Sequence, residues 1–542
     1  MSRRIIRPTI RWPATALFPL AEPRGSVCDR RDESMRVVRT ALAVVALLLV
    51  ARAAAYLVYV YEGLPSPAEV GDLESKLVHL AWRVQAGVRL YPTWTDYPHV
   101  TNFFGPCYFL VVGLIGSAVG AGLEGLFVIG RAVTVACALA TALVLGWFVR
   151  RGHGLGAGVA AATASLGAAP MIGAGLMVRP DTMAELLGVA GFFLSTGVTA
   201  RSRVAGIVLL VAAILTKQTA ACFLVAASLS LFIAGRRRES AALLTLGVLA
   251  LGAVVAAVSA FEPMFASSLL GEGKTPWSLA NWAAELRELV VSAPDLFVVP
   301  VLGSWLWLSA RPRQTTPIVL WLMVLGSGLV TAAKEGSGLN YFLSLRLVEA
   351  LAIGALWTAA RMPEALQRRR LAGASILAAL SLVPGTILAA GHAGQARAEA
   401  RFYDGPDGRR LLLARRQLFR LAEDPRVELL TDSGLLQLHQ KERAAFVDPF
   451  QFRLLVETGQ VRPDVILRGI RDETYDMVIT TTDLYRPEYR LNIAGLPEVL
   501  AQAVREHYIP ADRPLGLFRN IPRSSRREVS GRPVRKPGPR RP

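Results

Sequence analysis

The sequence predicts an α-helical polytopic membrane protein, with about eleven transmembrane helices and a small C-terminal α/β domain. Three observations predict it. Apolar runs long enough to span a bilayer fill most of 38–391. Basic residues sit between those runs and in the two tails rather than along one soluble face. After 392 the pattern changes to that of a soluble chain: helical spacing over 409–421, then short apolar runs at 427–431 and 476–480 that end in polar turns.

Composition agrees. Charged residues make up 19% of the chain, against the roughly one quarter usual in soluble domains, and they avoid the apolar part. The net charge of +19 forms no stripe on a soluble domain, which argues against nucleic acid as a partner. Cys28, Cys107, Cys137 and Cys222 have neither disulfide-framework nor zinc-site spacing, and 392–520 contains no cysteine. Residues 1–37 form a basic tail in which Met35 is an alternative start, and 521–542 is a second basic tail expected to be disordered. The run 40–60 is too long for a signal-peptide core and reads as a signal anchor.

The expected spans lie near 38–60, 124–149, 155–177, 181–199, 204–217, 219–234, 240–261, 294–310, 317–333, 341–360 and 371–391. Charge decides how 104–121 is read. With the N-terminus inside and 104–121 not spanning, the arginine-rich links at 150–151, 201–203, 236–238, 311–313 and 361–370 all fall in the cytoplasm. The segment 104–121 is therefore expected to lie on or re-enter the outer face. The first loop 62–123 and the domain 392–520 are then extracytoplasmic. Charges are expected to avoid the span middles, and no pair of broken helices stands out.

The first outer loop holds most of the candidate chemistry. Asp72 and Glu74 precede an amphipathic stretch that runs to Gly87, followed by Leu90-Tyr91-Pro92 and a polar, aromatic series that includes Asp96, His99 and Asn102. Asp72 reads either as a helix N-cap or as a carboxylate poised at the membrane–water boundary as a general base. Lys217 falls between two short apolar runs, where a lysine in lipid would cost about 2.5–3.5 kcal/mol, so it should face a cavity or snorkel to the interface. Asn340 and Tyr341 open a span as cavity lining or as an interfacial anchor, and Arg131 could pair with Glu124 or with headgroups.

An acid about fifteen residues before Gly87 and Leu90-Tyr91-Pro92 resembles the first loop of the GT-C glycosyltransferases, among them the protein O-mannosyltransferases and the aminoarabinose-to-lipid-A transferases. The resemblance covers 38–391. It extends through Phe103-Phe104-Gly105-Pro106, Arg131, Arg179-Pro180-Asp181, Thr216-Lys217-Gln218-Thr219 and Gly336-Ser337-Gly338-Leu339-Asn340-Tyr341. It departs where Leu73 separates Asp72 from Glu74, since many relatives have adjacent acids.

The resemblance implies an inverting transfer in a bacterial inner membrane. The sugar would pass from a polyprenyl-phosphate donor to a hydroxyl of a lipid, glycan or protein acceptor on the outer face. Asp72 would be the base, with Glu74 as the second candidate. Lys217, Arg179, Lys334 and Arg131 would bind the donor phosphate, and Tyr91, Asp96, His99, Asn340 and Tyr341 would line the substrate cavity. No residues form a clear metal site, although some members of the superfamily use a divalent ion. Two other readings fit the composition: a transporter or flippase for an anionic or lipid-linked substrate, and a scaffold whose outer domain binds a partner.

Overall fold

A computed structural model describes residues 28–70, 73–271, 276–310, 316–335, 337–359, 365–486 and 495–525. The chain opens with α1 (Cys28–Gly63), α2 (Glu74–Gln85), the strand β1 (His99–Val100) and α3 (Cys107–Val119). Then follow α4 (Leu123–His153), α5 (Leu155–Gly167), α6 (Ala169–Ala174), α7 (Asp181–Ser195), α8 (Ala200–Ile214) and α9 (Ala221–Ile233). The apolar part ends with α10 (Arg237–Phe261), α11 (Phe265–Gly271), α12 (Leu279–Ser292), α13 (Asp295–Ala310), α14 (Thr316–Ala332), α15 (Leu345–Ala359) and α16 (Ala365–Asp404).

Each expected span lies largely in helix, but the lengths differ from the expectation. Among the described residues five helical stretches are long and apolar enough to cross a membrane: 35–63, 123–153, 237–261, 339–359 and 370–404. Helices α5, α7, α8, α9 and α14 have 13 to 17 residues, too few for a ~30 Å core at about 1.5 Å per residue. The expected span 155–177 divides at Ala168, where the backbone turns extended, and α6 restarts with a proline in its first turn. The loop expected at 262–293 contains α12, which meets α13 at 71°. Pro294 stands at that break, lacking the N–H that a continuous helix would use. α3 is a 13-residue helix closed by Gly120 at φ 63°.

Charges do not avoid the span middles, contrary to expectation. Arg52, Glu185, Arg346 and Glu349 lie inside expected spans, and all are buried. They are tolerated because each is paired with an opposite charge. Small residues let the helices carrying them approach closely: a Cβ on Gly158 would stand 2.6 Å from the carbonyl oxygen of Gly146, where α4 crosses α5.

Beyond α16 lie α17 (Pro406–Glu423), β2 (Leu429–Thr431), α18 (Gly434–Gln440), β3 (Phe446–Val447), α19 (Pro449–Glu457) and α20 (Asp464–Arg471). The chain continues as β4 (Met477–Thr480), α21 (Glu498–His507), β5 (Tyr508–Asp512) and β6 (Phe518–Pro522). The sheet order is β2-β4-β6-β5, with β2 and β4 parallel and the other pairs antiparallel. α16 runs through 391 to Asp404, so the boundary expected at 392 falls within one helix.

The C-terminal sheet and the first loop share a core. Trp94 and Phe103 pack with Leu430, Phe446, Phe452 and Val478. β1 pairs in parallel with β3. Lys76 on α2 forms a buried ion pair with Asp448, the N-cap of α19. Gly434 lies so close to α2 that a Cβ there would stand 2.2 Å from the Ser75 hydroxyl. Joining the sheet to the bundle this way fixes the loop that roofs the candidate site.

Candidate donor-phosphate cleft

The cleft forms where short helices end. α8 stops at Ile214, Thr216 caps back onto the Ala212 carbonyl, and Lys217 adopts an extended backbone before the chain turns into α9. The first loop packs on this turn: Gln218 donates to the Phe103 carbonyl, and Cys107 N donates to the Leu215 carbonyl at 3.3 Å. Only glycine fits at 105, since a Cβ would meet the Leu215 carbonyl oxygen at 1.8 Å.

The Lys217 Nζ lies 2.6 Å from Asp181 Oδ1 and 4.4 Å from the centre of the Tyr341 ring. Asp181 opens α7, where a carboxylate is favoured by the helix N-terminus. It also receives Asn340 Nδ2 at 3.0 Å, and Arg179 Nε stands 3.4 Å from its second oxygen. One turn along α7, Glu185 Oε2 accepts from Arg346 Nε at 3.0 Å. Asp181, Glu185, Lys217, Thr219, Ser327, Asn340, Tyr341 and Ser344 supply the polar lining of a narrow, partly open cleft. An ammonium has three donors, and only one hydrogen bond of Lys217 Nζ goes to a described residue. The arrangement is a half-satisfied cation over an aromatic ring, suited to a phosphate oxygen.

The other candidates stand elsewhere. The Arg131 guanidinium donates to Glu74 through Nε at 3.0 Å and Nη2 at 2.7 Å, and to the carbonyls of Gly63, Ser66 and Ala68. Glu74 takes four donors in all, the other two being the backbone N–H groups of Val70 and Val178. Both groups are about 1% exposed and saturated, so this pair braces the loop around 63–70 instead of presenting a base and a phosphate cation. Tyr91 donates its hydroxyl to the Phe104 carbonyl and packs on Phe265. His99 pairs with Phe446 in the β1–β3 ladder and meets the Trp94 carbonyl through Nδ1, while Asp96 is exposed beside it. Lys334 holds the start of α12: its carbonyl accepts from Asn281, and its backbone bridges to Trp277. None of these six lines the cleft. Asp72 lies outside the described residues, as does Gly336.

One first-loop acid escaped the sequence reading. Glu69 Oε1 accepts from Ser75 N at 2.8 Å, capping α2, and burial pushes its carboxyl up to about 7. The signal was available: Glu69 stands five residues before the first residue of a recognisable amphipathic helix. Asp181 was visible only as part of a turn, because its partners Lys217 and Asn340 are 36 and 159 residues away. Among the described residues no group of three or more His, Cys, Asp or Glu could hold a metal ion.

The same arrangement of helices recurs in solved structures. ArnT from Cupriavidus metallidurans in the apo state superposes with a TM-score of 0.55 at 15% identity, over 88% of this chain and 97% of that one. This chain has the ArnT fold. ArnT bound to undecaprenyl phosphate gives 0.52 at 14% identity with the same coverage. The apo oligosaccharyltransferase of Archaeoglobus fulgidus gives 0.53 at 14% identity, over 89% of this chain and 74% of that one. No protein-family model matches the sequence, and no curated sequence matches it either. The resemblance to the GT-C glycosyltransferases is therefore a likeness of fold.

Proposed function

We propose that this chain is a multi-pass membrane glycosyltransferase, moving a sugar from a polyprenyl-phosphate donor to an acceptor hydroxyl on the extracytoplasmic face. The observation that carries the proposal is the cleft: Lys217, aligned by Asp181 and backed by Tyr341, has donors left over, in a fold shared with a transferase solved with undecaprenyl phosphate. In this reading Lys217 and Arg179 take the donor phosphate and offset the charge that develops as it leaves. Asn340 and Tyr341 line its approach. Asp72 removes the proton from the acceptor hydroxyl, which attacks the anomeric carbon with inversion. Glu74 and Arg131 are positioning residues for the first loop, so the second candidate base becomes Glu69, whose carboxyl near 7 suits proton transfer at neutral pH.

The test is transfer in detergent from radiolabelled polyprenyl-phosphate sugars to an envelope acceptor fraction. Wild type should transfer label; Asp72→Asn and Lys217→Gln should not. Transfer by Asp72→Asn but not by Glu69→Gln would move the base to Glu69. Transfer undiminished in Lys217→Gln would overturn the phosphate assignment.

A transporter or flippase is the second reading, favoured by the bent α12–α13 pair and by the charges buried near it. A donor-dependent sugar product formed in detergent, with no second compartment, excludes it as the sole activity.

A further inference from the structure

A second charged group lies inside the helical bundle, away from the cleft lining. Arg52 of α1 reaches Asp295 at the start of α13 (Nη1 to Oδ2, 2.9 Å) and Glu349 of α15 (Nη1 to Oε1, 3.4 Å), while its Nε donates to the Gly167 carbonyl at 2.8 Å. All three side chains are 0% exposed. Three polar atoms of the group have no hydrogen-bond partner among the described residues: Arg52 Nη2, Asp295 Oδ1 and Glu349 Oε2. Both carboxyls converge on the same nitrogen, Nη1 of Arg52.

The charges do not balance. One guanidinium faces two carboxyls, and among the described residues no further ion pair reaches the group; in α12, the other arm of the bend, Glu285 is half-buried and Arg287 and Glu288 are exposed. Arg346, one turn from Glu349 on α15, is engaged by Glu185 of α7. Tyr56 of α1 donates its hydroxyl to the Gly175 carbonyl. α5, α14 and the 371–391 stretch of α16 contain no Asp, Glu, His, Lys, Arg or Tyr. In α4, which also touches α15, the nearest charged groups are Arg131, taken by Glu74, and the terminal Arg150. A second full negative charge in this dry site would be costly, and a proton held by the two carboxyls removes it.

We infer that Asp295 and Glu349 form a proton-binding site within the membrane domain, sharing a single proton at neutral pH and leaving the group with Arg52 neutral. The proton closes the bent α12–α13 pair onto α1 and α15 without a buried net charge. The inference does not rest on the glycosyl-transfer reading.

The sharing has a mutational signature. Either amide variant alone, Glu349→Gln or Asp295→Asn, keeps one carboxylate for Arg52 and replaces the shared proton with an amide donor. Each should therefore fold and melt close to wild type. The double variant strands the guanidinium and should lose stability by far more than the sum of the two.

The deciding measurement is the infrared spectrum of the purified protein at neutral pH, where ordinary carboxyls are ionised. In the wild-type-minus-variant difference spectrum, Glu349→Gln or Asp295→Asn should each lose one carboxylic-acid carbonyl component while the fold is retained, over the contributions of Glu69 and Asp432, which every variant keeps. No band lost in either single variant, or single variants as damaging as the double, would overturn the inference.

Discussion

Two of the cation–carboxylate pairs near the first loop, Arg131–Glu74 and Lys217–Asp181, contrast in a way that separates bracing from binding. Arg131 and Glu74 satisfy each other and four loop backbone groups besides: the carbonyls of Gly63, Ser66 and Ala68 and the N–H of Val70. Lys217 and Asp181 also pair, but the ammonium keeps donor capacity and sits on an aromatic face at a cleft wall. A buried cation with every donor spent holds structure; one with donors left over can exchange a protein contact for a ligand oxygen. Residue type and sequence position did not distinguish the two.

The largest effect that would sharpen this contrast is on stability. Arg131→Gln leaves Glu74 buried without its charge partner, at a cost of about 3–5 kcal/mol. It should lower the melting temperature sharply while the protein that remains folded keeps its donor affinity. A normal melt with lost donor binding would invert the roles assigned to the two pairs. Next is Lys217→Gln, which should reduce transfer by about 10²–10³-fold with a smaller drop in melting temperature than Arg131→Gln, because Arg179 and Asn340 still hold Asp181 when the ion pair is lost. Lys217→Arg should recover part of that activity.

Gly105→Ala tests the roof above the cleft. Its Cβ would overlap the Leu215 carbonyl, and overpacking of this kind costs about 1–3 kcal/mol. Displacement of the Lys217 turn should show as weaker donor binding together with a lower melt. The smallest effect belongs to the C-terminal sheet. Burial pushes the Asp432 carboxyl up to about 7, so between its ordinary value and 7 the folded chain holds a proton that the unfolded chain has released. Stability is then greatest at the acid end of that window and declines as pH rises through it. Asp432→Asn retains an acceptor for Thr481 N and should flatten the melting temperature between pH 5 and 8 relative to wild type; an unchanged slope would remove Asp432 as its source.

Much of the fold was legible because lipid imposes a simple rule: apolar runs become helices that satisfy their own backbone. Every expected span proved largely helical, and the strands at 427–431 and 476–480 overlap β2 and β4, neighbours in one sheet. What failed was length. Hydropathy does not register the restart at Pro170 or the break at Pro294 as the end of a helix when apolar residues continue on both sides. Of the candidate site, Lys217, Arg179 and Asn340 converge on Asp181 with Tyr341 against Lys217, whereas Arg131, Glu74, Tyr91, Asp96, His99 and Lys334 are placed elsewhere.

The sequence by itself determined the membrane class, the helical segments and the residues too costly to leave in lipid, because each follows from local transfer free energy. Tertiary structure decided which charge meets which. Asp181 with Lys217, Arg52 with Asp295 and Glu349, and Lys76 with Asp448 join residues 36 to 372 positions apart. Burial compels such groups to find partners, but only the packing of the helices selects them.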